Sequence, residues 1–199
     1  MTKVRALLEP HVDGATLDRL TVYAELLERW SARHNLVRYS SPQELVERHL
    51  LDALAGVELM ANARCVLDVG SGAGLPVIPL LCACPNLRGT LLEPRQKRWA
   101  FLRLVVRELG LDAVVEACRV QDLADDAGPF ERVTARAVGR HDELLAAVRG
   151  RLAPSGAVVL WVTEAEVERL RQVAGWRVVG FAIPRSDRGR LAYLQPCST

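Results

Sequence analysis

The sequence predicts an α/β fold: a doubly wound, mostly parallel sheet with a helical N-terminal cap and an antiparallel C-terminal hairpin. Three observations predict it. From residue 65 onward, short apolar runs alternate with helical segments in βαβα order. The first run, Val66-Leu67-Asp68-Val69, opens into Gly70-Ser71-Gly72-Ala73-Gly74, a turn with glycine at every second position. The second run, Thr90-Leu91-Leu92, ends in an acid, Glu93, nineteen residues beyond Gly74.

Residues 1–62 read as helices. Leu17, Leu20, Ala24, Leu27 and Ser31 follow the three-four spacing of one helical face. Ser41-Pro42-Gln43-Glu44 is a helix start, with serine as N-cap, proline at N1 and glutamate at N3. The helix it opens carries Leu45, Val46, His49, Leu50, Ala53 and Leu54. Strands are expected over 65–69, 90–92, 113–117, 132–135 and 156–162, and helices over 76–84, 95–109, 141–152 and 164–173. Two further β-rich runs between Gly175 and Pro196 flank the polar turn 184–189, as a closing hairpin would. The chain thus divides into a cap, 1–62, and a core, 63–199, within one compact unit.

Composition narrows the function classes. No apolar run approaches the ~20 residues needed to span a membrane. Met1-Thr2-Lys3-Val4-Arg5 leads into charged amphipathic sequence and not into a secretory apolar stretch. Five cysteines, Cys65, Cys82, Cys84, Cys118 and Cys197, form no metal-ligand spacing and read as buried or half-buried free thiols. The expectation is a cytoplasmic, metal-free monomer. Net charge is only +2, from 26 basic and 24 acidic residues, so the total does not announce a nucleic-acid binder. Nearly all the positive charge is arginine, the side chain suited to bidentate phosphate contacts, although a GC-rich genome gives the same bias.

The glycine turn selects the ligand class. Alternate glycines permit positive φ and leave no Cβ between backbone and ligand, at the strand ends where open α/β sheets bind. A carboxylate at the tip of the second strand can accept from two ribose hydroxyls. The dinucleotide pattern G-x-G-x-x-G is not met, because Leu75 and Val77 stand where a third glycine is required. No Gly-Lys-Ser/Thr follows, which excludes a Walker loop and disfavours a nucleotide-phosphate cradle. Asp68-x-Gly70-x-Gly72-x-Gly74 instead resembles motif I of the Rossmann-like class I S-adenosylmethionine-dependent methyltransferases.

Four ordered blocks extend the resemblance across most of the chain. Trp30, Asn35-Leu36 and Glu47-Arg48-His49-Leu50-Leu51-Asp52 form the first, and Gly70-Ser-Gly-Ala-Gly-Leu-Pro76 with Ile78-Pro79-Leu80 the second. Lys97-Arg98-x-x-Phe101-Leu102 is the third and Thr134-Ala135-Arg136-Ala137 the fourth. Together they resemble the bacterial glucose-inhibited division protein B family, the small-subunit (16S) rRNA guanine-N7 methyltransferases. The resemblance implies S-adenosylmethionine as cofactor and 16S rRNA or the small ribosomal subunit as partner. It assigns Gly70, Gly72 and Leu75 to the cofactor loop, Glu93 to the ribose, Val120 and Gln121 to the adenine, and Arg136 to the cofactor and substrate mouth. Gln121 stands where the family has an acid, so it keeps an acceptor and loses the charge.

Two departures stand out. Val77 replaces a family glycine, and can narrow the pocket or simply repack the helix. After the fifth strand the family carries Leu-Lys-Gly, whereas this chain reads Leu160-Trp161-Val162-Thr163. A small-molecule or protein methyltransferase, or a ribosome-associated homologue without activity, therefore remains an alternative.

Guanine N7 offers an in-plane lone pair and no proton, so the implied chemistry needs no general base and names no catalytic side chain. His49 reads equally as packed or functional, and His141 as a helix-start residue. For RNA the candidates are Arg33, His34, Arg38, Arg48, Arg95, Lys97, Arg98, Arg103 and Arg107. Arg103 and Arg107, four apart, share a helix face and suit phosphate contacts, or form a solvated face with Glu108. Trp99 can stack on a base but fits better as part of an apolar helix core.

Overall fold

Burial on both faces sets the sheet. In β1 (Cys65–Val69), Val66 and Asp68 turn to one face, Leu67 and Val69 to the other, and all four are buried. A strand covered on both faces reads as the continuous apolar run seen in the sequence. The computed structural model describes residues 3–197; Met1, Thr2, Ser198 and Thr199, at the ends of the predicted cap and core, lie outside the described residues. Parallel to β1 run β2 (Arg88–Leu92), β3 (Ala113–Glu116), β4 (Phe130–Arg136) and β5 (Leu152–Thr163). β6 (Trp176–Ala182) and β7 (Gly189–Pro196) form the expected hairpin, with β7 against β5 and β6 at the edge. The order is β3-β2-β1-β4-β5-β7-β6, so the direction in which strands are added reverses between β1 and β4. Ligands of open α/β sheets sit at that switch point.

Helices cover both faces. α1 (Lys3–Leu8), α2 (Gly14–His34), α5 (Val77–Ala83) and α6 (Gln96–Glu108) pack with Val66, Leu91, Val159 and Leu191 on one face. α7 (His141–Arg149) and α8 (Glu164–Leu170) pack with Leu67, Val133, Val158 and Leu194 on the other. The predicted face of α2 is the buried one: Leu17, Leu20, Ala24 and Leu27 lie in the core, while Ser31 is half-buried. Asp13 caps its start through Thr16 N–H, and Asn35 ends it at φ 48°.

The predicted start at Ser41 also forms, since Ser41 accepts from Glu44 N–H in α3 (Pro42–Leu45). The glutamate reaches back one residue further than a capping box requires, to the N–H and hydroxyl of Ser40. A π-helical turn, Val46–Leu51, then leads into α4 (Asp52–Leu54). Periodicity did not reveal it, because one widened turn barely displaces the apolar stripe. All five cysteines are free thiols, and Cys197 departs from the expectation of burial. It lies just past the last residue of β7, where the sheet no longer covers it.

Tyr23 is the cap's polar contact with the strand-end loop. Fully buried, it donates its hydroxyl proton to Ala73 O at 2.7 Å, inside the glycine turn. Tyr23→Phe leaves that carbonyl unpaired and is expected to cost about 1–2 kcal/mol, read as a lower urea midpoint at unchanged m-value.

Candidate functional site

The glycine turn is framed by its neighbours. Gly70, Gly72 and Gly74 all hold positive φ, at 73°, 58° and 93°. A Cβ at Gly74 would stand 2.5 Å from Ile78, so the following helix packs directly on bare backbone. At Gly70 an added Cβ would meet only a Val138 methyl within 4 Å, which leaves this backbone bordering open space. Ser71 N–H donates to Leu92 O at 2.9 Å and Gly74 N–H to Ser71 O at 2.7 Å. Glu93, 3% exposed, closes the frame: one oxygen accepts from Gly72 N–H at 2.9 Å and the other from Arg95 N–H at 2.8 Å. A carboxylate has about four lone-pair sites, so these two bonds leave acceptor capacity for a ligand.

Two adjoining hollows rest on this frame and share Gly70, Pro94 and Val138. The smaller, about 270 Å³, lies among Leu92, Cys118, Val120, Gln121 and Leu144. The larger, about 470 Å³, is bordered by Gly72, Leu75, Glu93, His49, Arg98 and Arg136. Such volumes match small-molecule sites. Gly70, Gly72, Leu75, Glu93, Val120, Gln121 and Arg136 therefore converge on one cleft, with Val120 buried and Gln121 exposed. Val77 borders neither hollow; it is fully buried at the start of α5, so this departure repacks the helix.

The far wall joins sheet to cap. At the end of β4, Arg136 donates from Nη2 to Arg48 O at 2.8 Å and stands 3.7 Å from the Asp52 carboxylate. Its Nη1 is buried without a partner, and burial lowers its pKa, against the opposing pull of Asp52. Ala137 next to it takes φ 58°, a strained choice for a residue with a Cβ, which turns the chain sharply at the cleft edge. His49 is half-buried on the π-helical turn, and burial and then Arg136 lower its pKa, so the imidazole is neutral at pH 7. His141 begins α7, away from this wall.

The basic candidates separate into groups. Arg95 and Arg98 border the larger hollow, and Arg98 lies over Gly72. Lys97, Arg38 and Arg48 are exposed, with Arg48 3.9 Å from Glu44. Arg33 and His34 line a groove of about 680 Å³ between α2 and α6. Arg103 covers the Trp99 ring at 4.8 Å, while Arg107 is paired with Glu108 at 2.8 Å, roughly 14 Å along α6 from Arg98. Trp99 differs from the expected helix core: it is half-buried against the sheet edge, with its indole N–H on Val115 O at 3.0 Å. Sequence reasoning missed Asp52 and Ala137 as parts of the wall. Asp52 closes the Glu47–Asp52 block, a signal present but unread; the φ of Ala137 leaves no mark in the sequence.

A family model described as rRNA small subunit methyltransferase G (GidB) matches residues 16–174. The chain belongs to that family. Among its relatives, the ribosomal RNA small subunit methyltransferase G of Stenotrophomonas maltophilia (strain K279a) is 40% identical over 184 residues, covering 89% of this chain and 84% of the relative. The methyltransferase G of Ralstonia nicotianae is 38% identical over 186 residues, 87% of this chain and 82% of the relative. Among solved structures, an O-methyltransferase described as putative, from Klebsiella pneumoniae, superposes at TM-score 0.70 with 10% identity, over 97% of this chain and 95% of that one. A ribosomal protein L11 methylase from Lactobacillus delbrueckii subsp. bulgaricus gives 0.61 with 16% identity, over 80% and 81%. At such identities these two show the shared methyltransferase fold alone. The methyltransferase G family thus has here a chain whose glycine turn, strand-two acid and strand-four arginine meet in one cleft.

Beneath the turn, Asp68 is fully buried and accepts from Thr134 Oγ1 at 2.6 Å, while its Oδ2 has no partner. Burial raises its pKa to about 6 from 3.8, with the Thr134 and Ser71 bonds opposing and Glu93 adding to the rise. A raised carboxyl pKa means the folded state holds its proton longer than the unfolded chain. Stability attributable to Asp68 is therefore lost as pH climbs from about 4 to about 6 and stays lost above. Asp68→Asn is expected to be near neutral at pH 4 and about 2 kcal/mol more stable than wild type at pH 8, measured by urea unfolding across that range.

Proposed function

We infer that this protein transfers a methyl group from S-adenosylmethionine to N7 of a guanine in small-subunit rRNA. The observation that carries the reading is the convergence of Gly70, Gly72, Leu75, Glu93, Val120, Gln121 and Arg136 on one cleft, in a chain of the methyltransferase G family. The residues suit the cofactor. Open space at Gly70 admits a ligand against bare backbone, and Glu93 has acceptors left for two ribose hydroxyls. The smaller hollow, apolar at Val120 and Leu144 with Gln121 at its rim, suits an adenine.

Bound S-adenosylmethionine supplies an electrophilic methyl group on a sulfonium. The chain's part is to hold a guanine in line with it. N7 carries its lone pair in the ring plane and no proton, so no side chain has to act as a base. Neutral His49 offers a hydrogen bond at the substrate mouth, and Arg136 offers donors there. Positioning of this kind can supply roughly 7–11 kcal/mol of a barrier. The helical cap 1–62 works with the core 63–199 as one unit, since His49 and Arg48 O belong to the wall of the cleft.

RNA would approach over the basic rim. Arg33, Arg38, Arg95, Lys97 and Arg98 have no carboxylate partner among the described residues, unlike Arg107. Phosphate contacts from such side chains give affinity without sequence preference. An rRNA substrate places the work in the cytoplasm; no helix among the described residues is long and apolar enough to cross a membrane, and those residues contain no metal-ligating cluster.

Incubation with S-adenosylmethionine and small ribosomal subunits, followed by nucleoside mass spectrometry, is expected to show new 7-methylguanosine. Tight cofactor binding with no methyl incorporation would redirect the reading to a small-molecule or protein substrate, and no cofactor binding would overturn it. In calorimetry, Glu93→Ala and Gly70→Val should each weaken S-adenosylmethionine binding by about 10- to 100-fold, from lost charge-assisted bonds and from a filled, strained turn respectively. Arg33→Ala should leave cofactor affinity unchanged and reduce the salt slope of RNA binding by about one.

A further inference from the structure

A residue near the end of β5 carries more than its burial explains. Trp161 is the cross-strand partner of Arg136, so the two side chains leave the sheet side by side on the cap face. Both reach the same stretch of cap. The Trp161 indole N–H donates to Asp52 O at 2.7 Å; Arg136 donates to Arg48 O at 2.8 Å and faces the Asp52 carboxylate at 3.7 Å. That stretch contains the π-helical turn Val46–Leu51, whose His49 lines the cleft. Gly56 has left room for the indole: a Cβ there would lie 2.6 Å from the ring.

We propose that Trp161 is a positioning residue of the cleft, its indole N–H holding the Asp52 main chain so that the Asp52 carboxylate fixes Arg136 at the wall. The proposal concerns how the wall is held; only its kinetic readout rests on the methyl-transfer reading. A buried tryptophan needs a partner for its N–H, and many would serve. Here the partner is Asp52, whose carboxylate faces Arg136 at 3.7 Å. A guanidinium that is mostly buried and short of one hydrogen-bond partner is held by few contacts, so loss of one should let it move. Thr163, the last residue of β5, caps α8 through reciprocal bonds with Glu166, so the strand end beyond Trp161 is held as well.

The test is Trp161→Phe, which keeps an aromatic ring over Gly56 and removes the N–H. The first readout is the NMR titration of His49, which needs no substrate. The groups acting on that ring are Arg136, Arg48 and Glu44, together with the Arg38 main chain. Release of Arg136 should move the His49 pKa upward, toward 6.5, by about half a unit. The second readout is methyl transfer to small subunits: kcat should fall about 10- to 100-fold while the Kd for S-adenosylmethionine stays within twofold. Asp52→Asn should produce the same direction of change, and the double variant should add little to either single one. A His49 titration and kcat both within twofold of wild type in Trp161→Phe would overturn the proposal, as would fully additive effects. If wild type transfers no methyl to the subunit, the functional reading fails, while the His49 titration still decides the role of Trp161. Should Trp161→Phe not fold, two measurements decide: slow hydrogen exchange of the Trp161 indole N–H in wild type and an upward shift of the His49 titration in Asp52→Asn are both expected, and absence of either would overturn the proposal.

Discussion

The hydrogen bond between Gly72 N–H and the Glu93 carboxylate is the constraint on which the cleft depends. It joins the tips of two adjacent parallel strands at the point where strand order reverses. Neither partner could be another residue type without loss. Gly72 holds positive φ, at 58°, a backbone conformation in which any residue with a Cβ is strained. Glu93 is buried, yet both its oxygens are met by main-chain donors, which is the condition for keeping a charge out of water. The turn is thereby ordered before any ligand arrives, and ordering need not be supplied by binding.

A second set of contacts ties the helical cap to this frame. Tyr23 holds the turn from beneath through Ala73 O, while Arg136 holds the π-helical turn at Arg48 and Trp161 holds Asp52 just after it. Arg132 adds a further bond to Leu59 O at 2.6 Å, lower on the same face. All of these join the cap to the sheet or to its strand-end turn. The cap is consequently part of the cleft wall, and its polar links are concentrated at the end of the sheet where chemistry is expected.

Much of this was legible in the sequence, and the parts that were not share a cause. The βαβα rhythm, the glycine turn, the acid at residue 93 and the Ser41 helix start each follow from local chemistry, and each stands where expected. What local chemistry cannot reveal is pairing across the fold. Asp52 lies 84 positions before Arg136, and Trp161 is 109 positions beyond Asp52, so nothing in spacing could join them. The π-helical turn and the φ of Ala137 are backbone choices made by tertiary packing. Trp99 shows the same limit: its helical position suggested core, while the short β3 left it at the rim.

That placement of Trp99 has a consequence for how the molecule meets copies of itself. β3 is an outer strand of the sheet, and Val114 on it is 56% exposed. Bare outer strands offer a row of unpaired main-chain groups on which another chain can template. Here the carbonyl of Val115 is already taken by the Trp99 indole, and Arg103 lays a positive charge over the ring. An incoming strand would have to displace that bond and approach a cation. A tryptophan at the rim thus obstructs strand addition at this one edge of the sheet.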